Sequence, residues 1–279
     1  MNDIAATTGS PGEAELPTAR RRSWLGKAVH ALTLLLPGIV ILIFWQWAAG
    51  RLIKEIYVSK PTAVAERLYE LFSSGEIYPH LWTTGQELVL GYVIGVTGGI
   101  LAGYALGRSP RLASIFEPYV MAFYGIPKIA LAPLFILWFG VGLTSKVVLA
   151  TFVVFFLVFY NTYAGVLAVE QELVDVLRLM GGSRWQIVRK VILPSALIWI
   201  FTGMKSSVPY ALIGAVVGEM MASNKGLGYL IQAAAGQYDT GGVFAALFVL
   251  MIIATGLHEL LKQSERLMLR WREEGQNED

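Results

Sequence analysis

The sequence contains no cysteine, which excludes disulfides, thiolate metal ligands and cysteine nucleophiles. Histidine is scarce, and His30, His80 and His258 lie too far apart to show the spacing of a metal site. A phosphate-binding loop of the form G-x-x-x-x-G-K-[ST] is also missing, because "GMKSS" at residues 203–207 lacks the adjacent Gly-Lys pair. Any nucleotide must therefore be bound by another chain, and we predict no metal and no cofactor on this one.

Charged residues are few as well, at 15% of the chain, against about 25% in ordinary soluble domains. Hydrophobic residues make up 55%, and the mean hydropathy is +0.57. A soluble protein of 279 residues could not bury so much apolar surface in one core, whereas a bilayer accommodates it. The net charge of +2 is too small to indicate a nucleic-acid partner. We therefore predict an all-α polytopic membrane protein.

Six apolar stretches are long enough to cross a bilayer, for which about 20 residues suffice. The predicted spans cover residues 29–50, 84–107, 115–138, 147–167, 195–219 and 242–261, within a transmembrane domain of residues 29–262. Residues 1–28 form a predicted disordered tail, and residues 263–279 form a second tail. The run from Ala31 to Gly50 is longer than the core of a signal peptide, so we interpret the first span as a retained anchor.

Lysine and arginine are distributed unevenly among the predicted loops. Most of them lie in the two tails and in the loops that share their side of the membrane, including residues 168–194. Because cytoplasmic loops carry the excess of these residues, both termini are predicted to face the cytoplasm. On the opposite side, residues 59–75 predict an amphipathic helix and residues 220–241 a glycine-rich loop, both candidate surfaces for an external partner.

One polar segment, "LVDVLRLMGGSRWQIVRKVILP" at residues 173–194, interrupts the apolar sequence on the cytoplasmic side. Its first half predicts a short helix with a single apolar stripe. The stripe consists of Leu173, Val176, Leu177 and Met180, and Glu172, Asp175 and Arg178 lie away from it.

Two adjacent glycines, Gly181 and Gly182, are expected to end that helix, because glycine accepts the left-handed backbone of a helix C-terminus. Ser183 then fits a helix N-cap, and Gln186 completes a capping box. The second helix continues through Pro194 into the fifth span. This L-shaped element either couples a partner protein to that span, or rests on anionic lipid through basic residues such as Arg184.

The segment resembles the cytoplasmic signature of ABC importer membrane subunits, in which Glu-Ala-Ala, Gly and Ile-x-Leu-Pro follow at fixed spacing. The matching positions are Asp175, Val176, Leu177, Gly181, Val191, Leu193 and Pro194. Only Asp175 retains the acidic character of the triplet, but the spacing from Gly to Leu-Pro is intact. Further matches are "SKPTAVAERLYEL", "PKIALAPLFILWFGVG" and "GEMMASNKGLGYLI". Together these stretches resemble permeases of the nitrate, sulfonate and taurine class over roughly residues 57–262.

This resemblance implies an importer permease fold in the inner membrane of a bacterium, for a small, anionic solute. The polar segment, residues 170–193, is then the coupling helix that docks on a cytoplasmic ATPase. The implied coupling residues are Glu172, Asp175, Arg178, Gly181, Gly182 and Arg184. The implied complex has two identical permease copies, two ATPases that hold ATP and Mg, and an extracytoplasmic binding protein.

Two other classes of membrane protein fit the sequence less well. A secondary transporter needs no docking segment of this form. A membrane-embedded enzyme needs clustered acidic or histidine residues on facing spans. Glu87, Glu117, Asn161 and Glu219 are far apart in sequence, and we expect them to lie apart in space; no catalytic residue is predicted.

Glycines recur every four residues through the second span, and they predict one flat face for close helix packing. They are Gly91, Gly95, Gly99, Gly103 and Gly107. The face packs either within one chain or against a second copy.

Ionisable residues within spans predict a functional role, because they are costly in a bilayer. Lys205, Lys128 and Glu219 are therefore candidates for the translocation path, with the two lysines attracting an anion. The alternative is that these lysines bond to backbone carbonyls or extend toward the membrane surface.

Overall fold

The computed structural model describes residues 19–269, so residues 1–18 and 270–279 of the predicted tails lie outside it. The described chain is helical, and its only β pairing is an isolated bridge between Ala49 and Ile53. The helices are α1 (Ala19–Ala48), α2 (Glu55–Val58), α3 (Pro61–Ser73), α4 (Ile77–Arg108), α5 (Pro110–Gly125), a 3-10 turn (Lys128–Leu131), α6 (Ala132–Phe139), α7 (Leu143–Leu167), α8 (Gln171–Leu179), α9 (Arg184–Ile187), a π turn (Val188–Ile192), α10 (Leu193–Ala222), α11 (Leu227–Gly236) and α12 (Thr240–Met268).

The chain divides into two compact units, with the division between Lys54 and Glu55. In the first unit, α1 begins at Ala19, so residues 19–28 are helical, although they were assigned to the disordered tail. The reason is that alanine, arginine, leucine and lysine favour helix, and no proline interrupts the run before the apolar residues begin. In the same unit, the Arg51 guanidinium lies 5.8 Å from the ring centre of Trp47.

The second unit contains four helices that are long and apolar enough to cross a membrane. They are Ile77–Arg108, Leu143–Leu167, the continuous rod Arg184–Ala222, and Thr240–Met268. Helix α7 lies at the centre, because α4 and α10 both pack along it. Val154 and Val158 of α7 are completely buried in a core that includes Leu88 and Val208.

The third predicted span, residues 115–138, is not one straight helix. Residues Arg111–Gly125 and Lys128–Phe139 are two helices bent by 84° at residues 126 and 127. Pro127 cannot donate a backbone hydrogen bond, and it forces Ile126 into an extended conformation, with φ −67° and ψ 135°. By length and composition, the described chain therefore has four helices able to cross a membrane, or five if the bent pair counts as one span. The described side chains of α1 include an apolar stretch at Leu35–Ala48, and the count of six spans stays a prediction.

Two shorter helices, α3 and α11, pack beside α12. Helix α3 has Pro61 in its first turn and buries Val64 and Leu71. Helix α11 occupies the middle of residues 220–241, where a loop was predicted, so that expectation was wrong. Glycine is confined to the ends of "LGYLIQAAAG", and alanine and leucine favour helix between them.

Candidate functional site

The predicted bend of the polar segment follows α8. Gly181 has φ +79°, a conformation that residues with a Cβ rarely adopt. Gly182 does not have a positive φ, so the left-handed conformation expected for both glycines belongs to Gly181 alone. Gly182 is required for a different reason, because a Cβ there would lie 2.7 Å from the carbonyl oxygen of Leu177.

The helix after the bend begins with a capping box. The Ser183 amide donates to the side-chain oxygen of Gln186 over 2.7 Å, and the Gln186 amide donates to the Ser183 hydroxyl over 3.3 Å. Helix α9 then continues through the π turn into α10, with Pro194 in the first turn of α10. The two helices predicted on either side of the glycines are present, and the second of them, α9, is the beginning of the continuous rod Arg184–Ala222.

Of the four apolar residues predicted as the stripe of α8, Leu173, Val176 and Met180 are exposed, whereas Leu177 is partly buried against an apolar cluster of the body. Leu173 is 49% exposed, Val176 is 55% exposed and Met180 is 79% exposed. The residue that α8 buries is Val174, at 4% exposure, in a cluster with Val166 and other apolar residues. Sequence periodicity missed Val174, because it identifies an apolar face but not which face contacts the body.

Charged residues on the same segment are exposed to solvent. Asp175 and Arg178 form an ion pair of 3.0 Å, with about the same exposure on both side chains. Glu172 lies in the first turn of α8, where a negative charge interacts favourably with the helix dipole. The segment therefore presents apolar and charged side chains together on an exposed surface.

The glycine face of α4 lies directly against α7 of the same chain. A Cβ on Gly91 would lie 2.6 Å from the Cβ of Ala150, and a Cβ on Gly103 would lie 2.7 Å from the carbonyl oxygen of Phe159. The other three members of the face also meet α7 at 2.7–2.8 Å. Of the two alternatives, the structure therefore places these glycines in packing within one chain.

Lys205 is paired with an acidic residue. Its Nζ lies 2.6 Å from a carboxylate oxygen of Glu265, and the two side chains are 24% and 19% exposed. Sequence reasoning missed this partner because Glu265 is distant in the chain and was assigned to the C-terminal tail. The ion pair neutralises the charge on which the role of Lys205 in attracting an anion depends.

Lys128 lies at the break between α5 and α6, and its contacts differ from the ion pair of Lys205. Its Nζ donates to the carbonyl oxygen of Tyr124 over 2.8 Å. The same ammonium lies 4.7 Å from the ring centre of Tyr124 and 5.6 Å from that of Phe156. No carboxylate in the described part of the chain forms an ion pair with it.

Glu219 is almost completely buried, at 1% exposure, and both of its carboxylate oxygens accept hydrogen bonds. Thr84 donates its hydroxyl to one oxygen over 2.6 Å, and the Gly228 amide donates to the other over 2.6 Å. The Thr84 hydroxyl in turn accepts from the Leu227 amide over 2.8 Å. Glu219 thereby ties α10 to α4 and to the beginning of α11.

Glu87 and Lys146 complete this buried cluster. Their side chains are 0% and 4% exposed, and the Lys146 Nζ lies 3.4 Å from a Glu87 oxygen. Lys146 also donates to the Ser223 hydroxyl over 2.8 Å, and it interacts electrostatically with Glu219. The expectation that Glu87 and Glu219 lie apart was therefore wrong. A usable signal was present, because Thr84, Glu87 and Gly91 share one face of a helix.

Comparison with known proteins gives a consistent result. Residues 95–268 match the family model described as the inner membrane component of binding-protein-dependent transport systems. The riboflavin transport system permease protein of Chloroflexus aurantiacus is 36% identical over 236 residues, covering 84% of this chain and 87% of that protein. The putative aliphatic sulfonates transport permease protein of Bacillus subtilis is 32% identical over 266 residues, covering 95% of this chain and 94% of that protein.

A further relative is the taurine transport system permease protein of Escherichia coli, 31% identical over 265 residues, with 92% of this chain and 96% of that protein covered. Among solved structures, a chain of the inward-facing methionine ABC transporter matches with a TM-score of 0.58. The identity is 21%, and the match covers 70% of this chain and 97% of that chain. This structural likeness shows the fold.

Proposed function

The chain belongs to the family of binding-protein-dependent transport system inner membrane components, and from that membership we propose how it works and what it carries. It is a multi-pass permease subunit of an ABC importer. Its cargo is a small organic anion that a binding protein delivers. The riboflavin, aliphatic sulfonate and taurine named for its relatives support a small organic solute.

The proposed complex contains two identical permease copies in a bacterial inner membrane, with both termini in the cytoplasm. Two ATPase subunits bind ATP and Mg on the cytoplasmic side, and the binding protein docks on the outer side near α3 and α11. The distribution of lysine and arginine supports this orientation.

The main support for the coupling role is that the second half of the polar segment is continuous with α10. An ATPase that binds α8 can contact exposed apolar residues of this helix, among them Leu179, at 88% exposure. The Gly181 bend and the Ser183 capping box fix the direction in which α9 leaves, and α9 runs into α10 without a loop. The alternative, a segment lying on anionic lipid, does not require such a fixed connection.

The test uses the permease co-expressed with its ATPase and binding protein and reconstituted in proteoliposomes. We expect Leu179→Glu to weaken ATPase co-purification and to reduce ATP hydrolysis stimulated by loaded binding protein at least tenfold. The control is Leu52→Glu, an exposed leucine outside the segment, at 64% exposure. Normal stimulation in the Leu179→Glu complex would refute docking through α8, and the lipid alternative would then explain the segment.

A further inference from the structure

The break between α5 and α6 opens a cavity of about 270 Å³. Its lining comes from the end of α5, the 3-10 turn, α7 and α10. The lining residues are Tyr124, Ile126, Pro127, Lys128, Ile129, Val153, Leu157 and Tyr210. Apart from one ammonium and two phenol hydroxyls, the side chains of this lining are apolar. Solute sites in proteins have this composition, with few polar groups in a mostly apolar cavity.

The Lys128 ammonium has hydrogen-bonding capacity that the chain does not use. An ammonium carries three N–H donors, and the described contacts account for one, to the Tyr124 carbonyl at 2.8 Å. The rings of Tyr124 and Phe156 stabilise a cation through their π faces, but they do not neutralise it. By contrast, Glu87 neutralises Lys146, and Glu265 neutralises Lys205.

A cavity with an unneutralised cation and apolar walls is complementary to an anion with an apolar body. The anionic group satisfies the free donors of Lys128, and the body covers the apolar lining beside Tyr210. An inorganic anion such as nitrate satisfies the charge but leaves most of the cavity without a contact. A neutral organic molecule fills the cavity but leaves the charge uncompensated.

We propose that this cavity is a subsite of the translocation path for organic carboxylates or sulfonates, in which Lys128 binds the anionic group and Tyr124 and Tyr210 flank the body. The proposal rests on the proposed function, since it assigns a substrate class to the same path. Tyr210 follows Pro209 within α10, the helix that is continuous with the coupling segment. The subsite therefore borders the element on which the ATPase acts.

The test measures binding of benzenesulfonate to the detergent-purified complex of permease and ATPase, without binding protein, by saturation-transfer NMR. We expect the wild-type complex to bind it, and Lys128→Met to weaken binding at least tenfold. Lys128→Arg keeps the charge and should stay within about threefold of wild type. Lys262→Met is the control, because Lys262 pairs with Glu259 on the surface of α12, away from the cavity.

A second variant separates the cavity from the charge. Ile129→Trp retains Lys128 but fills the space beside it, and we expect it to weaken benzenesulfonate binding at least tenfold as well. In competition with benzenesulfonate, nitrate and benzenesulfonamide should each be at least tenfold weaker than benzoate. Nitrate supplies the negative charge without an apolar body, and benzenesulfonamide supplies the apolar body without the charge.

Equal binding by wild type and Lys128→Met overturns the proposal, and so does the absence of benzenesulfonate and benzoate binding to the wild-type complex. Competition by nitrate as effective as that by benzoate overturns the organic class. ATP hydrolysis stimulated by binding protein, measured on the reconstituted wild-type complex, reports on the proposed function separately. If stimulation is present and these probes fail to bind, the importer role stands and the subsite is wrong.

Discussion

Removing the ammonium of Lys146 tests whether the buried cluster of Glu87, Lys146 and Glu219 holds the helices together. Lys146→Met keeps the length and the apolar stem of the side chain, but it removes the charge and the hydrogen bond to Ser223. Glu87 then stays completely buried without its cationic partner, beside the equally buried Glu219. The substitution changes nothing on the outside of the molecule, because Lys146 is only 3% exposed.

The magnitude follows from the burial of both partners. Breaking a buried ion pair by removing one partner costs about 3–5 kcal/mol, most of it from the charge left behind. In a chain of this size each kcal/mol lowers the Tm by about 2–4 °C, so we expect a decrease of about 6–20 °C. The double variant Glu87→Gln/Lys146→Met removes the uncompensated charge as well, and it should recover most of that decrease.

Intrinsic tryptophan fluorescence during heating of the detergent-purified permease measures the Tm, and size-exclusion chromatography confirms that each variant starts folded. The control is Lys262→Met, whose exposed pair with Glu259 contributes about 0–1 kcal/mol. A Tm of Lys146→Met within about 2 °C of wild type, at unchanged protein yield, would refute the assigned role of the cluster.

Three further predictions concern helix packing, the bend and the second ion pair. Gly99→Leu should cost about 1–3 kcal/mol or more and reduce co-purification with the ATPase, because even its Cβ would lie 2.8 Å from a backbone oxygen of α7. Gly181→Val with Gly182→Val should abolish transport-linked ATP hydrolysis but preserve membrane insertion, measured by carbonate extraction. Lys205→Met should lower the Tm less than Lys146→Met does, because its pair with Glu265 is more exposed, and Glu265→Gln should restore it.

Matched controls make these outcomes decisive. Gly85→Leu introduces the same side chain into α4 at a glycine with no atom within 4 Å of its added Cβ, and it should assemble normally. Equal loss of assembly in both glycine variants would contradict the packing explanation. Normal ATP coupling in the double valine variant would show that the bend does not transmit movement. Slower anion uptake by Lys205→Met that Glu265→Gln does not restore would instead favour the direct role in anion attraction.

Features that depend on neighbouring residues could be predicted from the sequence. The bend at Gly181 and the capping box of Ser183 and Gln186 are both present, because each is determined by residues within one or two helical turns. The glycine face could be predicted in the same way, since a four-residue repeat places its members on one side of a helix. Which helix covers that face could not be read from the repeat, because α7 is distant in the chain.

Features that depend on distant residues were missed for the same reason. The partners Lys205 and Glu265 are 60 residues apart, and Thr84 and Glu219 are 135 residues apart. Hydropathy assigned each of these residues to a span or a tail separately, and it carries no information about which residues meet. Hydropathy alone also does not reveal the break at Pro127, because the residues on both sides of the bend are apolar. The proline itself is the local signal for a broken helix in the third span, since it removes a backbone donor.

The long rod from Arg184 to Ala222 connects the polar segment, the cavity at Lys128 and the buried cluster of Glu87, Lys146 and Glu219. It comprises 39 residues, so at 1.5 Å per residue it extends for roughly 58 Å. The polar segment of residues 170–193 overlaps its beginning, Tyr210 lines the cavity farther along it, and Glu219 joins the buried cluster near its end. Because no loop interrupts the rod, we infer that a displacement imposed on α8 passes the bend at Gly181 and then reaches the cavity and the cluster through continuous helix. The buried cluster then holds the far end of the rod in place, since Glu219 is hydrogen-bonded to α4 and α11. Along the rod, Tyr210 of the cavity lies between Glu219 and the polar segment.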